Sequence, residues 1–153
     1  QNVRLSIKTA DCLPIIMYAK KNKYIIALHA GWKGLHSGII RQAVKMIRTK
    51  KLSLEEIYIA AGPHIGSCCY KVSKNLVDSF MTQNCPEDIA HMTNSDWYLD
   101  IGKIAYFQFL NEGFQKNQID IIRLCTSCNK GYQSYRRDGN QAGRMISFIQ
   151  KIK

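Results

Sequence analysis

No run of apolar residues in this 153-residue chain approaches the roughly 20 that a membrane-spanning helix requires. The opening residues carry no secretory leader pattern, so the chain reads as cytoplasmic and without a membrane partner. Long runs of one charge are missing as well. Lys and Arg outnumber Asp and Glu by 22 to 11, a formal charge of +11, yet the basic residues are scattered and form nothing longer than short doublets. No helix-turn-helix, paired zinc-finger ligands or aromatic RNA-binding signature accompanies them, which argues against nucleic acid as a partner. Richness in Lys, Ile and Asn is also what an AT-biased genome imposes. The positive balance is read instead as attraction for small anionic substrates. Internal repeats and low-complexity linkers are absent, so one domain is expected.

What is present is ordinary for a soluble globule: 46% apolar and 22% charged residues. A chain of this length buries roughly two thirds of its unfolded surface. The six cysteines fall as Cys12, the adjacent pair Cys68 and Cys69, Cys85, and the CxxC of Cys125 and Cys128. A reducing compartment argues against a disulfide framework. A single CxxC is weak evidence for a structural zinc, which wants four ligands, and adjacent cysteines are poor partners for one another. Most of the six are therefore expected to be small buried side chains.

Val3, Leu5 and Ile7 alternate with polar residues in strand period from the outset. The apolar run Leu13 to Ala19 predicts a buried strand, the segment Lys20 to Lys23 a polar turn, and Tyr24 to His29 the return strand. A helix is expected out of Gly31 to Gly38, with Leu35, Ile39, Ala43, Val44 and Ile47 on one face. Ile57 to Ala61 reads as a third buried strand, and Ser73 as the N-cap of a short helix to about Met81. Residues 82 to 96 read as loop, Ile101 to about Lys116 as a helix, and Ile119 to Leu124 as a strand entering the CxxC. An Arg-rich loop over Gly131 to Gly143 and a closing strand over Met145 to Ile152 complete the chain. The class is mixed α and β, a sheet buried by helices.

Cys12 and His29 stand at the start of one arm and the end of the other arm of the expected hairpin. In an antiparallel pair those ends are neighbours. Such a pair can be two zinc ligands, or a thiolate nucleophile with its base. It can equally be a buried Cys and a hydrogen-bonded His. The glycines of the following Ala30-Gly31-Trp32-Lys33-Gly34 let backbone approach a ligand, although a lone GxxG is common and Trp32 has a plain packing role open to it.

Five segments, TADCLPI, HAGWKGL, GPHIGSCCYKV, CTSC and SYRRDGNQAGRM, together resemble the YfiH-type family over nearly the whole chain and in the family's order. That family carries the name of multicopper polyphenol oxidase, or bacterial laccase. It is associated with zinc-dependent purine nucleoside phosphorylase activity, and with adenosine deaminase and methylthioadenosine phosphorylase side activities. The resemblance implies an α+β layered sandwich with a mixed sheet covered by helices. It implies a single domain over residues 1–153 that lacks the family's N-terminal third.

The same resemblance implies zinc as cofactor, copper being the lesser alternative. Cys12 and His29 are the implied metal ligands, and a third, a His of a QVHG-like motif, is expected upstream of Gln1. His36, His64 and His91 are read as surface or loop residues rather than substitutes for it. Arg136 and Arg137 match the family's paired arginines, and guanidinium forks suit phosphate. Lys33, where the family usually has Arg, is an implied phosphate contact that keeps the charge and loses the fork. Asp11 beside Cys12 is a candidate catalytic group able to orient His29, and Arg136 a second. Cys69 and Tyr70 are expected to pack near the pocket, and Cys125 and Cys128 to be buried.

The substrates implied are a purine nucleoside and phosphate, adenosine giving adenine and ribose 1-phosphate. Three other readings stand beside this one. A laccase-like copper oxidase needs HxH clusters that four scattered histidines do not supply. A metal-free hydrolase would use Cys12 with His29. An inert truncated homologue would keep only the fold.

Overall fold

A computed structural model describes residues 2–83 and 85–152; positions 1 and 153, at the ends of the expected domain, and 84, inside the expected loop, lie outside the described residues. Strands Val3–Thr9 (β1), Leu13–Ala19 (β2) and Tyr24–Ala30 (β3) come first, then helices Trp32–His36 (α1) and Ile39–Thr49 (α2). Ile57–Ala61 (β4), Lys71–Val72 (β5), Lys74–Met81 (α3), Ala90–Thr93 (β6), Asp96–Leu99 (β7) and Ile101–Asn111 (α4) form the middle. Ile119–Ile121 (β8), Tyr135–Asp138 (α5) and Met145–Lys151 (β9) close the chain.

The most apolar strand sits at the centre. β2 pairs antiparallel with β3 on one side and with β4 on the other, and β4 pairs parallel with β8, giving the order β3-β2-β4-β8. Leu13, Ile15 and Met17 are fully buried on one side of β2, while Tyr18 on the other side is exposed, as the two-residue period of a strand demands. Ile40, Val44 and Ile47 of α2 and Ile104 and Phe109 of α4 join those residues in one apolar cluster. Burying side chains of this size contributes about 1.5–3 kcal/mol each, which is why the helices hold to the sheet. β1 pairs antiparallel with β9 as a separate two-stranded ribbon that also contacts β3. The chain is an α+β protein.

Several elements differ from their sequence expectation. Gly38 adopts a left-handed conformation (φ 77°) that splits the expected helix into α1 and α2. The break shifts the register, so Ile40 rather than Ile39 takes the buried position. Residues 82 to 96 are not all loop, since β6 and β7 pair as a hairpin across Asn94 and Ser95, both at positive φ. β6 is mostly exposed, so no apolar alternation announces it. α4 ends at Asn111, and Gly113 at φ 102° turns the chain away. β8 stops at Ile121, and the Arg-rich loop contains the short helix α5.

Candidate active site

The site is assembled around the turn that joins β1 to β2. Asp11 occupies that turn at φ 86°, a left-handed conformation that Asp tolerates better than most residues. Its carboxylate is buried and fully engaged: Oδ1 accepts from Thr126 Oγ1 at 2.7 Å and Oδ2 from the Arg136 amide at 2.6 Å. Its carbonyl accepts from the Ile65 amide at 2.9 Å. One side chain thereby ties together β1, the CxxC loop and the start of α5. Each oxygen accepts one of these bonds, so Asp11 holds the backbone from which the Arg136 side chain departs.

The hairpin register sets Pro14 opposite His29, which brings Cys12 and His29 to a shared cavity of about 390 Å³. Its walls include Asp11, Tyr70, Tyr135 and Arg136, together with the cations Lys8 and Arg144. Burial, and after it the Asp11 charge, push the Cys12 thiol above its ordinary range. Beside it, a Cβ placed on Gly31 would lie 2.9 Å from Cys12 Sγ, so only glycine leaves that sulfur free on this side. A sulfur and an imidazole facing open space are the donor chemistry of a zinc site. Cys12 and His29 therefore fit two positions of such a site.

Arg136 donates to the carbonyls of Lys71 (2.9 Å) and Cys69 (3.3 Å) and lies 5.1 Å above the centre of the Tyr70 ring. Desolvation raises the Tyr70 hydroxyl to about 12 despite the neighbouring guanidinium, so Tyr70 keeps its proton at neutral pH. Arg137 is turned elsewhere. It donates to the carbonyls of Thr126, Ser127 and Tyr132 and pairs with Asp138 at 2.7 Å. It is not among the residues lining the cavity, where a phosphate contact was expected, and its bonds brace the CxxC loop. Lys33 is exposed, its ammonium 5.6 Å from the Trp32 ring centre, and is likewise outside the cavity wall.

Two further expectations change. His64 is buried, 4% exposed, with Nδ1 3.0 Å from the Gly62 carbonyl, because the loop after β4 folds back under α4. Burial is the main cause that lowers its proton affinity. None of the six cysteines is fully buried as expected: Cys68 and Cys128 are exposed, and Cys12, Cys69, Cys85 and Cys125 are half-buried. Cys68, Cys69, Cys125 and Cys128 hold their four sulfurs within 4.8 Å of one another. In sequence the CC pair and the CxxC stand 56 residues apart, from Cys69 to Cys125, and nothing local joins them. The signal available was that each follows a strand end, β4 and β8, and that these strands pair in parallel. Lys8 and Arg144 were missed as cavity cations, although Arg144 lies inside the SYRRDGNQAGRM segment.

A family model described as multi-copper polyphenol oxidoreductase laccase matches residues 1–151. A purine nucleoside phosphorylase of Clostridium acetobutylicum is 35% identical over 153 residues, 98% of this chain and 63% of that protein. The crystal structure of YlmD from Geobacillus stearothermophilus superposes with a TM-score of 0.90 at 34% identity, covering 99% of this chain and 58% of that one. The Bacillus licheniformis protein YfiH gives a TM-score of 0.88 at 32% identity, over 98% of this chain and 58% of its own. This chain spans less than two thirds of the length of each.

Proposed function

We propose that this chain, which belongs to the multi-copper polyphenol oxidoreductase laccase family, takes a purine nucleoside and phosphate into the Cys12–His29 cavity and carries out phosphorolysis. Adenosine and phosphate would give adenine and ribose 1-phosphate. The observation that carries the reading is one cavity in which a sulfur, an imidazole and the three cations Lys8, Arg136 and Arg144 meet two tyrosine rings. The name purine nucleoside phosphorylase on the relatives supports it. At about 390 Å³ the cavity is within the range of small-molecule sites, roughly 300–1,000 Å³.

In this reading the cations hold phosphate, with Arg136 pre-aimed by its two carbonyl contacts and by Asp11 on its amide. Tyr70, protonated at neutral pH, donates a hydrogen bond to substrate and does not serve as a base. Tyr70 and Tyr135 offer ring faces for a purine. Cys12 and His29 would hold zinc, which when bound supplies Lewis acidity toward a substrate or water oxygen. Deamination of adenosine and phosphorolysis of methylthioadenosine are side activities of the same cavity.

The histidines weigh against laccase chemistry. His29 faces the cavity, His36 packs edge-on to Phe80, His64 is buried at Gly62, and His91 stacks on Tyr98. These settings do not build a cluster of copper sites. A metal-free thiolate nucleophile is disfavoured because the Cys12 thiol is pushed up, the reverse of an activated cysteine. The test is incubation of the chain with adenosine and phosphate, with and without zinc. Chromatography is expected to show adenine that disappears in Cys12→Ala and His29→Ala. No adenine from the unsubstituted chain at any zinc level would contradict the reading.

A further inference from the structure

Outside that cavity, two loops from the ends of β4 and β8 bring four sulfurs together. Cys128 Sγ lies 3.2 Å from Cys69 Sγ and 3.3 Å from Cys68 Sγ, and all four, with Cys125, fall within 4.8 Å of one another. Four thiolates around one zinc at about 2.3 Å form a tetrahedron with sulfur–sulfur edges of about 3.8 Å. The observed spacing brackets that edge. It leaves no room for the bridging sulfides of an iron–sulfur cluster, which favours a single soft divalent cation.

Two features of the surrounding backbone are built for such a centre. A Cβ on Gly66 would meet Cys125 Cβ at 3.1 Å and Cys68 Sγ at 3.3 Å, so the position is kept clear beside the sulfurs. Backbone hydrogen bonds flank Cys125 and tie its loop to the loop after β4: the His64 amide donates to the Leu124 carbonyl at 3.3 Å and the Thr126 amide to the His64 carbonyl at 3.0 Å. Four thiolates on a dication leave a net negative charge. Arg123 lines the adjoining 250 Å³ cavity together with Cys68 and Cys125 and partly offsets it, while Lys103 in the same wall is paired with Asp88 and Asp100 adds a carboxylate.

We propose that Cys68, Cys69, Cys125 and Cys128 form a tetrathiolate site for one zinc-class cation that clamps the loop after β4 to the loop after β8. Metal binding deprotonates the thiols still carrying hydrogen and releases those protons to solvent. The clamp reaches the Cys12–His29 cavity through backbone. The Cys69 carbonyl accepts from Arg136, and the Thr126 and Ser127 carbonyls, inside the CxxC, accept from Arg137. The cation is therefore a positioning device for the wall that carries Arg136, and it stands whether or not the cavity is phosphorolytic.

Cobalt titration of the reduced full chain tests this, because each thiolate on Co²⁺ adds near-ultraviolet charge-transfer intensity. The unsubstituted chain is expected to give the intensity of a four-thiolate tetrahedral centre, reversed by zinc. A Cys12→Ala/His29→Ala variant is expected to keep that spectrum, and Cys68→Ser to retain about three quarters of it. If the double variant fails to fold, the unsubstituted chain still decides, since Cys12 supplies a single thiolate. Intensity of three thiolates or fewer, or a band unchanged by Cys68→Ser, would overturn the proposal.

Discussion

Asp11→Ala, compared with Asp11→Asn, separates a structural anchor from a reacting group. Asp11 is 8% exposed, and its carboxylate accepts two short hydrogen bonds, from Thr126 Oγ1 at 2.7 Å and the Arg136 amide at 2.6 Å. A hydrogen bond to a buried charged group contributes about 1.5–3 kcal/mol. Alanine loses both and must also hold φ near 86°, which costs a further ~1 kcal/mol or more. The sum is about 5 kcal/mol. Asparagine tolerates the left-handed turn and keeps an acceptor toward Thr126, but sets an NH₂ against the Arg136 N–H, a loss of about 2 kcal/mol. With a urea slope of about 2 kcal/mol per M, the midpoints are expected to fall by about 1 M for Asn and about 2.5 M for Ala. Folded Asp11→Asn is expected to keep adenine formation within about tenfold, with a raised KM for phosphate, since its part is to hold Arg136. An Ala variant within 1 kcal/mol of the parent, or a folded Asn variant with abolished kcat, would refute the reasoning.

Gly31→Ala places a methyl 2.9 Å from Cys12 Sγ; zinc affinity in the cavity is expected to fall at least tenfold by calorimetry while the urea midpoint changes little. Arg136→Lys keeps charge but loses the planar guanidinium whose Nη1 donates to both the Lys71 and Cys69 carbonyls while leaving its other nitrogens for an anion, so the KM for phosphate is expected to rise about tenfold with kcat less affected. Burial holds His64 neutral in the fold, whereas the unfolded chain takes up its proton near the ordinary value of 6.5. The unfolded state then binds more protons, so stability is full above that pH and falls below it. Urea midpoints from pH 7.5 to 5.5 are expected to show that slope, and His64→Asn to flatten it.

The central strands were legible because their residues are apolar throughout: Leu13 to Ala19 and Ile57 to Ala61 could be little other than strands, although Ile57–Ala61 is buried on one face only, with Tyr58 and Ala60 exposed. The Ser73 cap was legible for a local reason, its hydroxyl accepting from the Leu76 amide at 3.3 Å. Cys12 and His29 could be brought to one place because a hairpin is a short-range object whose register follows from its turn. What escaped depends on contacts between distant segments. The four sulfurs meet only because β4 and β8 are parallel neighbours, a pairing that periodicity in either strand does not encode. Arg136 and Arg137 are adjacent and chemically identical, yet α5 sends one to the cavity and the other to the carbonyls of the CxxC loop. Asp11 read as a candidate catalyst because its partners, Thr126 and Arg136, lie 115 and 125 residues away.

The most direct test of the central claim is a crystal of the zinc-soaked chain measured on both sides of the zinc absorption edge. An anomalous peak is expected in the Cys12–His29 cavity, about 2.3 Å from Cys12 Sγ and about 2.0–2.1 Å from a His29 ring nitrogen. Zinc density confined to Cys68, Cys69, Cys125 and Cys128, with none touching Cys12 or His29, would contradict it.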